Sequence, residues 1–332
     1  MQIAVSLPVA MVMAFLGTLV LAAILVRLPL GAILQDYPNS RSLHARARPK
    51  VGGLAIMAVS LALVALARLD VPAAVMGACA FLVVVSAIDD ARSLSASVRL
   101  ASHLGAASAV AIAVPGANIF LAVLAVATMA WMSNLYNFMD GADGLAGGMT
   151  VIGFGALALA ANSAGATGLA VWCALLSASA AAFLCFNFPP ASLFMGDAGA
   201  VPLGFLAGAL GYIGFARDVW PFWYPALVFS PFIFDASLTL FKRLLRGEKP
   251  WVAHREHVYQ GLILVGWSHR KLTLIAYLLM LAVCGAALAA LSRQVAAQIA
   301  IIAIVVASLG GLFMFAGRHL RRAGLWQKSA TG

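Results

Sequence analysis

The chain has 332 residues, 64% of them hydrophobic and only 10% charged, with a mean hydropathy of +1.01. A soluble domain needs far more charge on its water-facing surface, so composition excludes one and predicts an all-α integral membrane protein. The net charge of +10 is explained by topology rather than by nucleic acid, because Lys and Arg gather in cytoplasmic loops.

A span needs about 20 apolar residues, and the chain offers about eleven such runs, near 4–26, 51–67, 72–88, 100–115, 117–133, 145–161, 166–186, 198–216, 219–241, 272–291 and 295–317. They make a single transmembrane domain over 1–332. The first run is too long, and lacks a preceding basic residue, to read as a cleavable signal, so it is expected to be the first span. After it, near 35–53, come Pro38, Asn39, Arg41, His44, Arg46, Arg48, Pro49, Lys50 and the pair Gly52-Gly53. Cationic side chains at that depth can hold anionic lipid, at about 1 kcal/mol each, or the phosphates of a substrate.

Asp89 and Asp90 end the third run, within a stretch near 89–99 that also holds Arg92 and Arg99. Adjacent carboxylates repel, so both ionise only beside a cation or donor. On a helix they point about 100° apart, which suits two different partners. The bland alternative is a capped helix end with Arg92 as countercharge.

The stretch near 134–148 is the centre of the pattern, with Asn134, Asn137, Asp140 and Asp143 between long apolar runs in a chain of only 11 acidic residues. A carboxylate left at mid-bilayer costs about 2.5–3.5 kcal/mol, so the cluster needs water, a cation or a substrate. Steps of three place the first members on one drifting helical ridge. Gly141, Gly144, Gly147 and Gly148 predict that the helix ends near Asp140 and the backbone then bends, as a hard cation or a diphosphate requires.

Near 187–197, Asn187 and Pro189-Pro190 lead to Phe194-Met195-Gly196-Asp197. Asp197 is expected at a helix N-terminus, where the dipole favours an ionised carboxylate. Asp235, in the ninth run, either faces the site or pairs with a neighbouring helix. The last long loop, near 242–271, carries His254, Arg255 and His257, which on a helix would share a face and cradle a phosphate. Cys79, Cys173, Cys185 and Cys284 show no metal-ligand spacing and read as small core residues.

Eighteen of the 21 Lys and Arg residues fall on one side of these runs, and only Arg68, Arg217 and Arg293 on the other. The rich side is therefore expected to be cytoplasmic, with the N-terminus outside and the C-terminus inside. The acidic and histidine motifs fall on that same side.

Together, Asp89-Asp90 with Leu94-Ser95, the Asn134-x-x-Asn137-x-x-Asp140-Gly141-x-Asp143-Gly144 core, Phe194-Met195-Gly196-Asp197-x-Gly199 and His254-Arg255-x-His257 resemble the polyprenyl-phosphate N-acetylhexosamine-1-phosphate transferases. The first loop, Pro38-Asn39-x-Arg41-x-x-His44 with Gly52-Gly53, is similar too. The resemblance implies transfer of an N-acetylhexosamine 1-phosphate from a UDP-sugar to undecaprenyl phosphate, giving UMP and a lipid diphosphate sugar at the inner face of a bacterial inner membrane. It implies Mg2+, or Mn2+, held by Asp197 with help from Asn137. It makes Asp89 or Asp90 the group that orients or deprotonates the lipid phosphate, and puts Asp140 and Asp143 in the metal and diphosphate pocket. Asn134, Asn137, Lys50, His254, Arg255 and His257 become substrate-binding residues. Direct attack and a covalent phospho-aspartate both remain open. Many members carry further histidines just after the position of His257, where this chain has Tyr259 and Gln260. That resembles the branch serving O-antigen and other surface polysaccharides, with UDP-GlcNAc, UDP-GalNAc or a FucNAc or QuiNAc relative as donor. Membrane lipid is the surrounding partner, nucleic acid is not expected, and a homodimer through an outer span is left open. The rival reading is a proton- or cation-coupled transporter or flippase, which would set its acids near the bilayer midplane in two matching halves.

Overall fold

The structure is a computed structural model that describes residues 6–38, 43, 47–114, 118–249 and 254–325. Asn39, Arg41, His44 and Arg46 of the first loop lie outside the described residues. In chain order the elements are α1 (Leu7–Arg27), α2 (Pro29–Ile33), β1 (Gln35–Asp36), β2 (Arg48–Pro49), α3 (Gly52–Ala67), α4 (Ala73–Arg92), α5 (Ala96–Ala113), α6 (Ile119–Phe138), α7 (Leu145–Ser163), α8 (Thr167–Asn187), α9 (Asp197–Ala216), α10 (Trp223–Val228), α11 (Ser230–Leu245), α12 (Val258–Leu264), α13 (His269–Leu291) and α14 (Val295–Arg322). The chain is thus an all-α polytopic membrane protein. Among the described residues nine helices are long and apolar enough to cross a bilayer, and α3 is a shorter apolar helix.

One sequence expectation changes. The predicted run 219–241 is not one continuous helix but two, α10 and α11, with Phe229 between them. Pro231 sits in the first turn of α11, and a proline has no N–H to continue the ladder of the helix before it. The acids sit on helix ends, as expected for Asp197 and for the bend near Asp140. Asp89 and Asp90 lie in the last turn of α4, which stops only at Ser93 in the left-handed region (φ 51°). Asn134 and Asn137 belong to the end of α6, and Asp197 opens α9.

The helices alternate in direction, so the bundle has two ends. At one lie the end of α4, the α6–α7 connection and the start of α9; at the other lie the α3–α4 connection, the α7–α8 connection and the end of α9. Helix α9 is central, with 89% of its most apolar window buried, whereas α14 buries 17% and offers the rest to lipid. Small residues make that centre possible, because membrane helices associate by close backbone packing rather than by hydrophobic drive. Gly53 of α3 crosses Gly199 of α9 so closely that a Cβ on Gly53 would stand 2.2 Å from the Gly199 Cα. The first amides of α3, which have no partner within their own helix, donate into the segment before α9: Gly52 N to Phe194 O at 3.0 Å and Gly53 N to Met195 O at 2.8 Å. The β1–β2 pairing is antiparallel, Gln35 opposite Pro49 and Asp36 opposite Arg48. Lys50 N donates to Leu34 O at 2.8 Å, so Lys50 is delivered to the start of α9.

Candidate active site

At the acidic end the helix termini surround a cavity of about 930 Å3. Lys50, Asp90, Asn134, Asn137, Asp140, Asp143, Asp197, His254 and His257 all line it. Nine of the residues singled out from sequence, spread over more than 200 positions, therefore converge. Arg255 is exposed and outside the lining. Asp89 stands behind the wall, 8% exposed.

The two neighbouring aspartates do take different partners. Asp89 Oδ1 accepts from Leu94 N at 2.6 Å, and its Oδ2 pairs with Arg99 Nη1 at 3.3 Å. The countercharge is thus Arg99, not the adjacent Arg92. Asp90 faces the cavity: its Oδ1 is 3.1 Å from Lys50 Nζ, and its Oδ2 accepts from Ala198 N at 3.0 Å, in the first turn of α9. Helix α4 is thereby pinned by a carboxylate to the positive end of another helix. Gly196 makes this approach possible. Its backbone is left-handed (φ 74°), and a Cβ there would lie 2.8 Å from Lys50 O and 2.9 Å from Asp90 Oδ2. One residue on, Asp197 receives the side chain of Asn137.

The bend after α6 is held from every side. Gly144, left-handed at φ 76°, starts α7; its N–H donates to Asn187 Oδ1 at 2.9 Å, and its carbonyl accepts from Tyr277 at 2.7 Å. Asp143 Oδ2 accepts from Ala191 N at 3.0 Å, Thr273 donates to the Asp143 carbonyl at 2.7 Å, and His269 Nδ1 lies 3.2 Å from both the amide and Oδ1 of Asp143. Tyr259 donates to Phe138 O at 2.9 Å and crowds Gly141, where a Cβ would come within 2.2 Å of its hydroxyl. Asp140 is left at the tip of this bend. Desolvation first, and then repulsion from Asp197 and Asp90, push its carboxyl well above the ordinary carboxylate range.

The histidines converge by another route than the predicted helical face. His254 lies outside the helices, ahead of α12, and His257 is the residue before α12, yet their rings lie 4.9 Å apart, and His257 stacks with Phe138 at 5.9 Å and with Tyr259 at 6.0 Å. Burial first, and then charge from His257 and Arg243, lower His254 to about 4, so it is neutral at ordinary pH. Asp235 does not reach the cavity lining but is buried beneath this turn.

Two histidines in the lining were missed. His103 of α5 is buried and accepts at Nδ1 from Asn134 Nδ2, 3.1 Å away. The signal was present, since His103 is the only titratable side chain in the predicted run 100–115 and such residues are costly in a membrane. His269 was hidden in the basic run His269-Arg270-Lys271, which reads as topology.

The chemistry of the donor set bears on whether a divalent cation fits. Among the described residues five aspartates line the cavity, Asp36, Asp90, Asp140, Asp143 and Asp197, against two permanent cations, Lys50 and Arg99. Asp140, raised first by burial, is raised further by repulsion from Asp197, Asp90, Asp36 and Asp143. Among the described residues no three acidic, histidine or cysteine side chains gather into a ready coordination cluster. The carboxylates that line the cavity could hold a hard cation one or two at a time, its shell completed by water and substrate phosphates.

A family model described as glycosyl transferase family 4 matches residues 72–215, the segment that supplies Asp89, Asp90, Asn134, Asn137, Asp140, Asp143 and Asp197. The probable undecaprenyl-phosphate N-acetylglucosaminyl 1-phosphate transferase of Bacillus subtilis (strain 168) is 29% identical over 299 residues, covering 83% of this chain and 82% of that one. The decaprenyl-phosphate N-acetylglucosaminephosphotransferase of Mycobacterium tuberculosis (strain ATCC 25618 / H37Rv) is 30% identical over 301 residues, covering 75% and 73%. The undecaprenyl-phosphate alpha-N-acetylglucosaminyl 1-phosphate transferase of Escherichia coli (strain K12) is 27% identical over 280 residues, covering 74% of each chain. With the acidic motifs gathered in one cavity and the similarity running through most of its length, the chain belongs to glycosyl transferase family 4, among the polyprenyl-phosphate N-acetylhexosamine-1-phosphate transferases.

Proposed function

We propose that the chain transfers N-acetylglucosamine 1-phosphate from its UDP ester to a polyprenyl phosphate, releasing UMP and starting a cell-surface polysaccharide. The observation that carries this reading is the convergence of Asp90, Asn137, Asp140, Asp143, Asp197 and Lys50 at one end of a membrane bundle. The sugar follows the relatives, whose names specify N-acetylglucosamine on undecaprenyl or decaprenyl phosphate. The charge bias of 18 basic residues against three supports a cytoplasmic cavity in the inner membrane of a bacterium. A lipid phosphate and a soluble nucleotide can meet only at such a face. A transporter would instead set its acids near mid-depth, whereas these occupy end turns.

The reaction is a phosphoryl transfer, so positioning and charge neutralisation supply most of the catalysis. An oxygen of the acceptor phosphate bonds to the sugar-proximal phosphorus, the bond to the bridging oxygen breaks, and that oxygen leaves with the electron pair on UMP. A phosphate monoester has its second pKa near 6, so the acceptor is largely dianionic at neutral pH, and Asp90 has mainly to orient it and to take the proton of the remainder. Lys50, paired with Asp90, would supply a permanent cation to the acceptor phosphate, and Arg99 lines the same cavity from α5. Asp197, with Asn137 and Asp140, would hold the divalent cation, which when bound neutralises the diphosphate and the leaving UMP. His254 and His257 face the same cavity and would take the nucleotide's phosphates.

The test is direct. Purified protein in lipid, given polyprenyl phosphate, Mg2+ and a panel of UDP-sugars, is expected to release UMP and form a lipid diphosphate sugar with UDP-GlcNAc. Folded protein that releases no UMP from any panel member, while the Bacillus subtilis relative does so in the same assay, overturns the reading.

A further inference from the structure

Four polar residues of α11 and its cap, Asp235, Thr239, Arg243 and Arg246, follow one another in steps of four, four and three, which puts them along one side of the helix. Every one is engaged with the others or with the turn that carries the histidines. Asp235 accepts from Val258 N at 2.8 Å through Oδ1 and from Tyr259 N at 3.1 Å through Oδ2, and Oδ1 also lies 3.6 Å from His257 Nδ1. Thr239 donates to the same Oδ1 at 3.4 Å. Eight residues along, Arg243 reaches Glu256 at 2.6 Å and Glu248 at 2.9 Å, and Arg246 grips the same two carboxylates.

We infer that this side of α11 is a template that fixes His257 over the cavity, with Asp235 and Arg243 as positioning residues. Three observations carry it. Asp235 is 2% exposed and uses both oxygens on consecutive backbone amides, which registers the first turn of α12 to within a single residue. Arg243 is 5% exposed and reaches out from the helix to two half-buried carboxylates, Glu256 and Glu248, which ties α11 to the residue before His257. The two grips bracket His257 in sequence, Glu256 on one side and Val258 on the other. Among the described residues His257 Nδ1 is buried with no hydrogen-bond partner, and the ring stacks on Phe138. Glu256 remains ionised as the arrangement requires: burial alone would raise its carboxyl, but hydrogen bonds and charge from Arg246, and then charge from Arg243, outweigh this and hold it below the ordinary range.

The consequence for turnover rests on the reading that His254 and His257 meet the nucleotide phosphates, and the test separates the two. In Asp235→Asn one amide hydrogen of the turn must face an NH2 group. Hydrogen–deuterium exchange on the full chain in lipid is expected to quicken about tenfold at residues 258–259 while α7, α8 and α9 keep their protection. The KM for the UDP-sugar is expected to rise about tenfold, with that for polyprenyl phosphate unchanged. Adding Asp235→Asn to His257→Ala is expected to cost no further activity, because a positioning residue acts through the group it positions. Glu256→Gln, read in the same three ways, serves if Asp235→Asn does not fold. Unchanged exchange at 258–259, or losses that add fully to those of His257→Ala, overturns the inference. An inactive wild type with quickened exchange in Asp235→Asn overturns the proposed function alone and leaves the template standing.

Discussion

Helix α4 has a salt-bridged aspartate near each end, and the two pairs are almost the same length. Asp70, just before the helix, lies 3.3 Å from Arg217, and Asp90, in its last turn, lies 3.1 Å from Lys50. Their surroundings differ completely, for the side chain of Asp70 is 94% exposed and that of Asp90 2% exposed. Distance therefore says little about what an ion pair does. At the open end water screens both partners and the pair is worth little. At the cavity end each charge depends on the other, and any anion or cation entering the site must be accommodated by that pair.

The largest break in this contrast comes from Asp197, the first residue of α9. Asp197→Asn keeps the shape and the Asn137 contact but removes the charge that would hold a cation, and is expected to lower kcat at least 1,000-fold, roughly the upper range for one electrostatic contact. The wild type stripped with a chelator should fall as far and recover with Mg2+, whereas the variant should not recover; a variant with wild-type turnover removes Asp197 from the cation site. Next comes Lys50→Ala, which strands Asp90 beside the acids, with an expected loss of about 100-fold in kcat/KM. Lys50→Arg should restore part of it if charge, and not a specific ammonium, is what the acceptor needs. A packing variant sharpens the point. Gly53→Val would force α3 off α9, where even a Cβ lies 2.2 Å from Gly199, and overpacking of this kind costs about 1–3 kcal/mol. Its melting temperature in detergent should drop and its activity should fall further than the melting temperature explains, because Lys50 and Asp197 ride on those two helices. Equal melting would show that the crossing is looser than it looks.

These residues were visible in the sequence for one reason: a carboxylate among apolar residues is expensive, so Asp89, Asp90, Asp140, Asp143 and Asp197 stood out wherever they fell. The glycine bend after Asp140 and the helix start at Asp197 were legible because both are local. Asp235 was equally conspicuous but could not be assigned, since its partners, Val258 and Tyr259, lie 23 and 24 residues away and no periodicity links them. The same limit hid the junction of α10 with α11, where Pro231 interrupts an otherwise uniform apolar run. It also misplaced the histidines: spacing of three implies a shared helical face, whereas His257 stands at the entry to α12 and meets His254 across a turn.

A smaller effect separates the histidines from the acids. His254 is lowered to about 4, first by burial and then by the charges of His257 and Arg243, so it is neutral above that value and gains a proton only below it. From about pH 5.5 to 9 its protonation does not change. His254→Asn should therefore scale kcat/KM by one constant factor across that range, leaving the shape of the profile alone. A shifted acid limb would mean that His254 titrates during turnover.

The smallest effect belongs to the other end of α4. Arg217 donates to the backbone carbonyl of Asp70 at 3.0 Å as well as to its carboxylate, so Arg217→Ala removes two contacts where Lys50→Ala removes one. A count of lost bonds would make it the more damaging change. Water replaces both contacts at this exposed site, while nothing replaces the ammonium beside Asp90. The expected outcome is activity within twofold of wild type and a melting temperature within about 2 °C, in line with an exposed pair worth 0–1 kcal/mol. Measured beside Lys50→Ala in one assay, a loss at Arg217 comparable to that at Lys50 would show that enclosure does not distinguish the two pairs, and that the far end of the bundle is coupled to the cavity through α4.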